Sequence, residues 1–415
     1  MPGEEKKEEH GGMEAFLADF LPELVKLLSK YEAIELEDIE LHAKKLLLEL
    51  IPAAPAIAPP TPAPPVAKPL ELVQVPFEPP VMSYPGRVLE VQIGATRSEG
   101  GSRSHVIVIG GETTPPFYLF ESPPPHRPVI SMDVFDTKVP MPKVLKMHVK
   151  DVLDDPAEWA KRNVEKFGAD MVTVHLISTD PLVEDRSPKE AAKTVEEVLQ
   201  AVKVPIVIGG SGDPHKDAEV FKYVAEITAG ERLLFSSVTL DMADAGTLEP
   251  TAKAVAEGGH DVLAFTPIDL NLARELNRKL YEFIPRENII MDLTTAALGY
   301  GIEYSYTIME RARLAALMGD KELQHPILAA PANSWAAREA WMKEEEMGPE
   351  WGPRELRGPI WETITALVLL LAGVDVFLVG HPATAKTLKE FIDILMSRGK
   401  ARAEEIADWV SKSMG

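Results

Sequence analysis

Residues 205–236, PIVIGGSGDPHKDAEVFKYVAEITAGERLLFS, contain one complete strand–helix–strand unit. A short apolar run leads into a glycine-rich turn, a helical segment and a second apolar run. This is the pattern of buried parallel strands joined by a crossover helix. From residue 128 onward the alternation occurs eight times. The predicted strands are Val129–Asp133, Met171–Leu176, Pro205–Gly209, Leu233–Ser236, Asp261–Phe265, Asn288–Asp292, Pro326–Ala330 and Asp375–Val379.

Helices with a 3.6-residue apolar period separate these strands, for example Pro156–Phe167, Pro188–Val202 and Glu303–Met318. A doubly wound open sheet has the same alternation of elements, but eight near-equal units favour closure of the sheet on itself. The sequence therefore predicts an α/β protein with a (β/α)8 TIM barrel over residues 128–400, followed by a C-terminal helix over residues 401–415.

Three further segments precede the barrel. Residues 1–50 carry apolar residues at helical spacing, which predicts either a marginal helical hairpin or, as we favour slightly, a helical docking module completed by a partner. Residues 51–84 are rich in proline and predict a polyproline II linker, with a docking ligand for an aromatic groove as the alternative. In residues 85–127, the runs Arg87–Ala95 and His105–Gly110 predict a small β-hairpin element.

Composition excludes several classes of protein. The 415 residues include 65 acidic and 43 basic side chains, a formal net charge of −22, whereas binding to nucleic-acid phosphates needs the opposite charge. The chain has no cysteine, which excludes a disulfide scaffold, a thiolate zinc site and an iron–sulfur cluster held by its own thiolates. No secretory signal is visible, and the longest apolar stretch, residues 364–379, is broken by Gly373 and Asp375. We therefore expect a cytoplasmic protein that neither enters nor binds a membrane.

In a TIM barrel the functional residues lie on the loops that follow the strands. There the sequence places no lysine suited to a Schiff base and no histidine pair with metal-ligand spacing. Acidic and hydroxyl groups without a nucleophile suit hydrogen bonding to a polar, amide-bearing or pterin-like ligand, although helix capping is the competing interpretation for each of them. These polar groups are Asp133, Asp136, Ser178, Thr179, Asp180, Gly209–Asp213, Ser236, Ser237, Asp241, Thr266, Asp269, Asp292, Thr294, Thr295, Asn333, Ser334 and His381.

Three local patterns could each indicate a binding site. The sequence GGSGD, residues 209–213, is either a phosphate-binding turn or an ordinary tight turn. Asp213-Pro-His215 resembles the start of a cobalt-ligating motif, but Ala218 stands where that motif has glycine, so we do not expect a cobalt ligand there. Four tryptophans fall in a long segment after the seventh barrel strand and predict either a packed excursion or a protein interface. They are Trp335, Trp341, Trp351 and Trp361.

Four segments, in order along the chain, resemble the small, or delta, subunit of the corrinoid/iron–sulfur protein of the acetyl-CoA decarbonylase/synthase complex. They are VQIGATRSEGGSRSHVIVIGG (residues 91–111), IGGSGDPHKDAEV (208–220), MDLTTAALGYGIEYSYTIMERARLAAL (291–317) and RGPIWETITALVLLLAGVDVFLVGHPATAKTLKE (357–390). The resemblance covers roughly residues 85–400. The helical module and the proline-rich linker resemble the archaeal form of this subunit.

The resemblance implies a heterodimer with a large gamma subunit that holds the iron–sulfur cluster and most of the corrinoid site. The barrel then covers the other face of the corrinoid and helps to hold the complex with the acetyl-CoA synthase and CO dehydrogenase subunits. The cobalt carries a methyl group between a tetrahydromethanopterin- or tetrahydrosarcinapterin-type donor and acetyl-CoA synthase, as in the Wood–Ljungdahl pathway and methanogenesis. The chain itself is expected to supply no metal ligand and no catalytic residue.

For corrinoid contact, we expect the polar residues of the barrel mouth to bind the amide side chains of the corrin. The candidates are Asp292, Thr294, Thr295, Asn333 and Ser334, with Ser211 and Asp213 behind them. The alternative is a stand-alone pterin-binding TIM-barrel methyltransferase in which Asp292 and Asn333 bind the pterin. A barrel lyase or aldolase is disfavoured because no catalytic lysine or metal set is visible.

Overall fold

The computed structural model describes residues 82–118 and 124–397. Eight parallel strands form the closed barrel predicted from the sequence, and the last strand pairs with the first to complete it. The predicted helical module (1–50), the linker up to residue 81 and the C-terminal helix (401–415) lie outside the described residues. The fold class is therefore confirmed for the barrel and for the hairpin that precedes it.

The strands match the predicted ones within two residues at almost every end. The hairpin consists of antiparallel β1 (Glu90–Ile93) and β2 (Ile107–Gly110). The barrel strands are β3 (Val129–Phe135), β4 (Met171–His175), β5 (Ile206–Gly209), β6 (Leu234–Val238), β7 (Asp261–Phe265), β8 (Ile289–Asp292), β9 (Ile327–Ala329) and β10 (Val376–Val379).

The helices begin where the sequence supplies caps. For example, the Asp155 carboxylate accepts the N–H of Glu158, and Ser187 and Glu190 form a capping box with proline at the first helical position. The helices are α1 (Lys143–Val149), α2 (Pro156–Glu165), α3 (Pro188–Ala201), α4 (Pro214–Ile227), α5 (Leu240–Asp244), α6 (Leu248–Glu257), α7 (Leu270–Leu280), α8 (Ile302–Leu317), α9 (Arg354–Leu371) and α10 (Pro382–Met396).

The β1–β2 hairpin closes the N-terminal end of the barrel. Alternate strand residues point into the barrel. Those nearest the N-terminal ends of the strands pack against the apolar face of the hairpin. That face consists of Val91, Ile93, Ile107 and Ile109. In the part of the chain that the structure describes, the hairpin seals one end of the barrel in this way, and a ligand can reach the other end, where the strands finish.

Arg103, in the hairpin loop, anchors the hairpin to the barrel. Its buried guanidinium donates to the carbonyl oxygens of Val202, Val204 and Leu199 at 2.7, 3.2 and 2.8 Å, and it pairs with Glu231 at 3.1 Å. Burial lowers the pKa of Arg103, and the Glu231 carboxylate opposes that shift. The cost of burying this charge is offset by hydrogen bonds on most of its donors.

No helix among residues 82–118 and 124–397 is long and apolar enough to cross a membrane. The longest apolar stretch of the sequence instead divides, as predicted, into the buried end of α9 and strand β10.

Candidate functional site

A cavity of about 430 Å³ lies at the C-terminal mouth of the barrel, between the ends of β3, β4, β9 and β10. Its floor is formed by residues on or directly after those strands, and its walls by the loop before α1, by α1 and α2, and by the turn after β9. Apolar side chains dominate the lining, and the polar ones are Asp133, His175 and Asn333. Such a cavity, with a few convergent polar groups, is the usual form of a small-molecule site.

Asp133 and His175 form a hydrogen-bonded pair on this floor. The parallel register of β3 and β4 sets Asp133 beside Thr173 and Phe135 beside His175, and Nε2 of His175 lies 2.9 Å from Oδ1 of Asp133. Because Nε2 is the nitrogen that faces the carboxylate, Nδ1 is the ring nitrogen left outside this hydrogen bond.

The imidazole of His175 is fixed from two further sides. The Phe135 ring stacks on it, with ring centroids 4.9 Å apart and an interplanar angle of 18°. On another side, a Cβ built at Gly209 would lie only 2.7 Å from Nδ1 of His175, so glycine is what leaves room for the ring. The pair is therefore held in one orientation before any ligand arrives.

The cavity offers hydrogen-bond acceptors to its occupant. Within the described part of the chain, Oδ2 of Asp133 and Oδ1 of Asn333 have no hydrogen-bond partner, while the Asn333 amide N–H donates to Thr295 O at 3.2 Å. Trp159 and Trp335 contribute aromatic side chains to the walls, and the buried indole N–H of Trp335 has no hydrogen-bond partner among the described residues. The arrangement suits a planar group with N–H donors on its edge.

Asp292 lies on the inner face at the end of β8, outside the lining of the cavity. Its Oδ1 accepts the backbone N–H of Thr294 at 2.8 Å, and burial raises the pKa of this carboxyl to about 7. The neighbouring Thr266 hydroxyl is buried and has no hydrogen-bond partner among the described residues. A carboxyl and a hydroxyl with so few partners have spare hydrogen-bonding capacity at the barrel mouth.

Three other predicted site residues use their side chains to hold the loops of the mouth. Thr294, in the left-handed region with φ of 72°, donates its hydroxyl to Thr266 O at 2.9 Å. The Thr295 hydroxyl accepts the N–H of Ala330 at 2.8 Å, and the fully buried Ser334 hydroxyl donates to that of Thr365 at 3.2 Å. Their side chains position the loops that carry Asp292 and Asn333.

The GGSGD turn is an ordinary turn whose amides are already bonded. The N–H groups of Ser211 and Gly212 donate to the buried Asp217 carboxylate at 2.7 and 2.8 Å, and the Ser211 hydroxyl donates to it as well. Asp213 caps α4 by accepting the N–H groups of His215 and Lys216. These bonds leave no amide cradle for a phosphate, and they support the capping interpretation of Asp213.

Glu362 of α9 holds the turn that leads from β10 into α10. Its two carboxylate oxygens accept the N–H groups of Gly380 and His381 at 2.7 and 3.0 Å, and burial raises the pKa of this carboxyl to about 7. His381 itself caps α10 through its imidazole, which burial keeps neutral by lowering its pKa to about 3. Gly380 lines the cavity, so Glu362 fixes part of the cavity floor.

The tryptophan-rich segment folds into short 3₁₀ turns between β9 and α9. Buried Arg357 donates to the carbonyl oxygens of Glu339 and Met342, at 3.1 and 2.5 Å, and thereby holds this excursion on the barrel. Trp335 packs inside it, with its ring 5.9 Å from that of His381. Trp351 stacks in parallel on Trp361 at 6.0 Å but remains partly exposed. The packed-excursion interpretation therefore applies to Trp335, and the interface interpretation stays a prediction for the exposed Trp351.

Exposed apolar side chains surround the mouth. Leu182, after β4, is 94% exposed, Tyr300, after β8, is 53% exposed, and Trp351, after β9, is 42% exposed. Glu184, two residues after Leu182 in the chain, is exposed as well. No group of three or more potential metal-ligating side chains is brought together within residues 82–118 and 124–397.

Sequence reasoning missed His175 and singled out Asp133 only as one member of a long polar ring. The available signal is the alternation of inward and outward side chains along a strand, which places both Asp133 and His175 on the inner face of adjacent strands. Without the register between β3 and β4, however, the sequence gives no reason to pair them.

The family model described as "CO dehydrogenase/acetyl-CoA synthase delta subunit" matches residues 90–345. The chain is 48% identical over 367 residues to the acetyl-CoA decarbonylase/synthase complex subunit delta of Archaeoglobus fulgidus, covering 87% of this chain and 80% of the relative. The delta subunit of Methanocaldococcus jannaschii is 45% identical over 378 residues, covering 88% and 90%. Among solved structures, Yersinia pestis dihydropteroate synthase with a pterin–sulfa conjugate superposes with a TM-score of 0.45 at 15% identity, covering 65% of this chain and 94% of the other.

Proposed function

Because this chain belongs to the family of CO dehydrogenase/acetyl-CoA synthase delta subunits, we propose that it is the small subunit of a corrinoid/iron–sulfur protein. In this proposal it pairs with a gamma subunit in the cytoplasm and covers a corrinoid held mainly by that partner. The bound corrinoid supplies a cobalt that accepts and releases a methyl group, between a tetrahydropterin and acetyl-CoA synthase. This chain contributes polar contacts, exclusion of water and a docking surface.

The observation that carries the proposal is the cavity at the barrel mouth. Its volume of about 430 Å³ is far too small to enclose a corrinoid, yet Asp133 and Asn333 offer acceptor oxygens to it, and exposed apolar side chains lie on the loops of the barrel mouth. Acceptors suit the amide N–H groups on the edge of a corrin, and the apolar rim suits burial against another protein chain. These features fit a surface that covers the macrocycle rather than a pocket that contains it.

Of the seven predicted contact residues, Asp292 and Asn333 remain the best candidates. Each retains an oxygen without a partner among the described residues. The side chains of Thr294, Thr295, Ser334 and Ser211 are bonded within the protein, and Asp213 caps α4 through Oδ1. We propose that these two residues accept hydrogen bonds from the cofactor and that the others, Thr294, Thr295, Ser334, Ser211 and Asp213, position the loops around it.

The absence of cysteine from the sequence supports a division of labour between the subunits. Any iron–sulfur cluster held by thiolates must then belong to the partner chain. For the N-terminal segment we propose a tether to another subunit of the larger complex. Deletion of residues 1–80 should leave the gamma heterodimer intact and weaken recruitment to acetyl-CoA synthase, and unchanged assembly and turnover would contradict this role.

The direct test is the cobalt content and the visible spectrum of this chain, purified alone and co-purified with its cysteine-bearing partner. We expect about one cobalt per heterodimer and little on the chain alone. Absence of corrinoid from both preparations would refute the proposed function.

The second candidate is a stand-alone pterin-binding methyltransferase, which is favoured by the buried Asp292 carboxyl with its pKa of about 7. In that case Asp292→Asn should abolish methyl transfer without disturbing assembly, and methyl-pterin should bind without the gamma subunit. If the substitution instead loosens the corrinoid or the gamma subunit, the second candidate is wrong.

A further inference from the structure

We infer that the mouth cavity is a specific binding site for a planar group with N–H donors, anchored by the Asp133–His175 pair. The group is either the bicyclic head of a reduced pterin or an amide side chain of a corrin. The inference rests on the proposed function for the choice between these two sources. It differs from that proposal in assigning the recognition to a pair of residues that neither the sequence pattern nor the family resemblance identified.

The floor of the cavity presents one carboxylate oxygen in a fixed position. Asp133 Oδ1 is occupied by His175, so the free Oδ2 is the oxygen available to an incoming donor. The imidazole prevents the carboxylate from turning, because Phe135 and Gly209 hold the ring in place. A carboxylate oxygen fixed in this way forms a strong, charge-assisted hydrogen bond with an N–H donor.

The cavity has few polar groups among its lining residues. Apart from Asp133, His175, Asn333 and the indole N–H of Trp335, which is buried without a hydrogen-bond partner among the described residues, the lining consists of apolar groups. Asn333 lies at the exposed rim and contributes its free carbonyl oxygen. A ligand that matches this lining is apolar on both faces and carries its donors on the edge.

The volume of the cavity limits the size of its occupant. A cavity of about 430 Å³ accommodates a fused bicyclic ring with a short substituent, and it is larger than a single amide side chain requires. Of the two occupants, the free heterocycle would fill this volume more completely, and a corrin amide would occupy only part of it. Trp159 and Trp335 add aromatic surface to the lining, which suits an apolar ring.

The experiment is calorimetric titration of the full chain, purified without cobalt or partner. One arm uses 6-methyltetrahydropterin, which has the bicycle without a tail, and the other uses diaquocobinamide, which has the corrin amides. We expect measurable binding in one arm and a loss of affinity of tenfold or more in Asp133→Asn, since hydrogen bonds to charged groups are the strong ones. Binding of the pterin alone assigns the cavity to the free heterocycle, and binding of the cobinamide alone assigns it to the corrin amides.

Two further variants complete the test. Ala336→Trp fills the cavity from its exposed rim and should abolish binding even if Asp133→Asn fails to fold. Asp241→Asn removes an exposed carboxylate on the same face, outside the cavity, and should bind like the wild type. The inference is overturned if the folded wild type binds neither probe, or if binding survives Asp133→Asn or Ala336→Trp. Because no cobalt is present, this failure is distinct from the absence of corrinoid in the heterodimer.

Discussion

Replacement of Asp292 by asparagine should stabilise the protein at neutral and alkaline pH. Burial at the end of β8 raises the pKa of this carboxyl to about 7, so the folded state holds a proton that the unfolded state releases at a pH of about 3.9. The folded protein must therefore either keep the proton or bury a charge. Asparagine retains an acceptor for the Thr294 N–H and carries no charge.

The magnitude follows from the difference in pKa between the two states. A shift of about 3 units corresponds to about 4 kcal/mol once the pH is well above 7, at 1.36 kcal/mol per unit. Below a pH of about 4 the carboxyl is protonated in both states and the penalty vanishes. Between pH 5 and pH 8 the wild type should lose about 2.5 kcal/mol of stability through this group alone.

The assay is urea denaturation at several pH values from 5 to 8.5, for the wild type, Asp292→Asn and the control Asp241→Asn. The advantage of Asp292→Asn over the wild type should grow with pH, whereas Asp241→Asn, which replaces an exposed carboxyl on the same face, should run parallel to the wild type. A difference between Asp292→Asn and the wild type that stays constant over this range would refute the reasoning, since it would mean that Asp292 does not titrate there.

Three other substitutions test the hairpin anchor, the cavity floor and the rim. Arg103→Met should lower the free energy of unfolding by about 3–5 kcal/mol, measured by urea denaturation, because it leaves three carbonyl oxygens without their donor and the half-buried Glu231 carboxylate without its cation. Gly209→Ala should displace the His175 ring, which its new Cβ would approach to 2.7 Å, and change the NMR signals of that imidazole. Leu182→Asp should weaken retention of the partner subunit about tenfold or more in co-purification, without lowering Tm, because the side chain is 94% exposed in this chain.

Each of these three substitutions has a control variant or a result that would contradict the prediction. Arg97→Met changes an exposed arginine in the same hairpin loop and should alter stability by less than about 0.5 kcal/mol. Ile227→Asp alters an exposed apolar residue at the C-terminal end of α4, at the opposite end of the barrel, and should leave partner retention unchanged. Unaltered imidazole signals in Gly209→Ala would contradict the close approach on which the cavity floor depends.

The barrel could be predicted from the sequence because buried parallel strands are short apolar runs, and the helices between them carry clear start signals. Pro156 and Pro188 begin their helices at the predicted residues because each follows a capping side chain. Strand β3 extends past the predicted end at Asp133 to Phe135, since these residues continue to pair with β4. A polar residue ends an apolar run in the sequence without ending a strand in the fold.

For the candidate site, the sequence predicts a location at the barrel mouth, and its contact residues stay predictions. The loops after the strands do form the mouth, but the pairing of Asp133 with His175 depends on strand register, which has no local signature. The predicted use of Ser211 as a contact residue rested on a turn whose amides are bonded by Asp217, six residues further on. Long-range packing of this kind, like the cavity wall formed by Trp335, arises from elements that are far apart in the sequence.

The sealing of the barrel by the β1–β2 hairpin has a consequence for synthesis of the chain. The Leu89 N–H donates to the carbonyl oxygen of Gln324, so the hairpin reaches its native contacts only after a residue 235 positions further along the chain has been synthesised. At about 5–20 residues per second, a ribosome needs roughly 10–50 s to supply it. During that time Val91, Ile93, Ile107 and Ile109 form an uncovered apolar face on a two-stranded sheet, which is marginally stable in water. The nascent chain should therefore need a holding chaperone, and chains that terminate before β9 should aggregate through the hairpin.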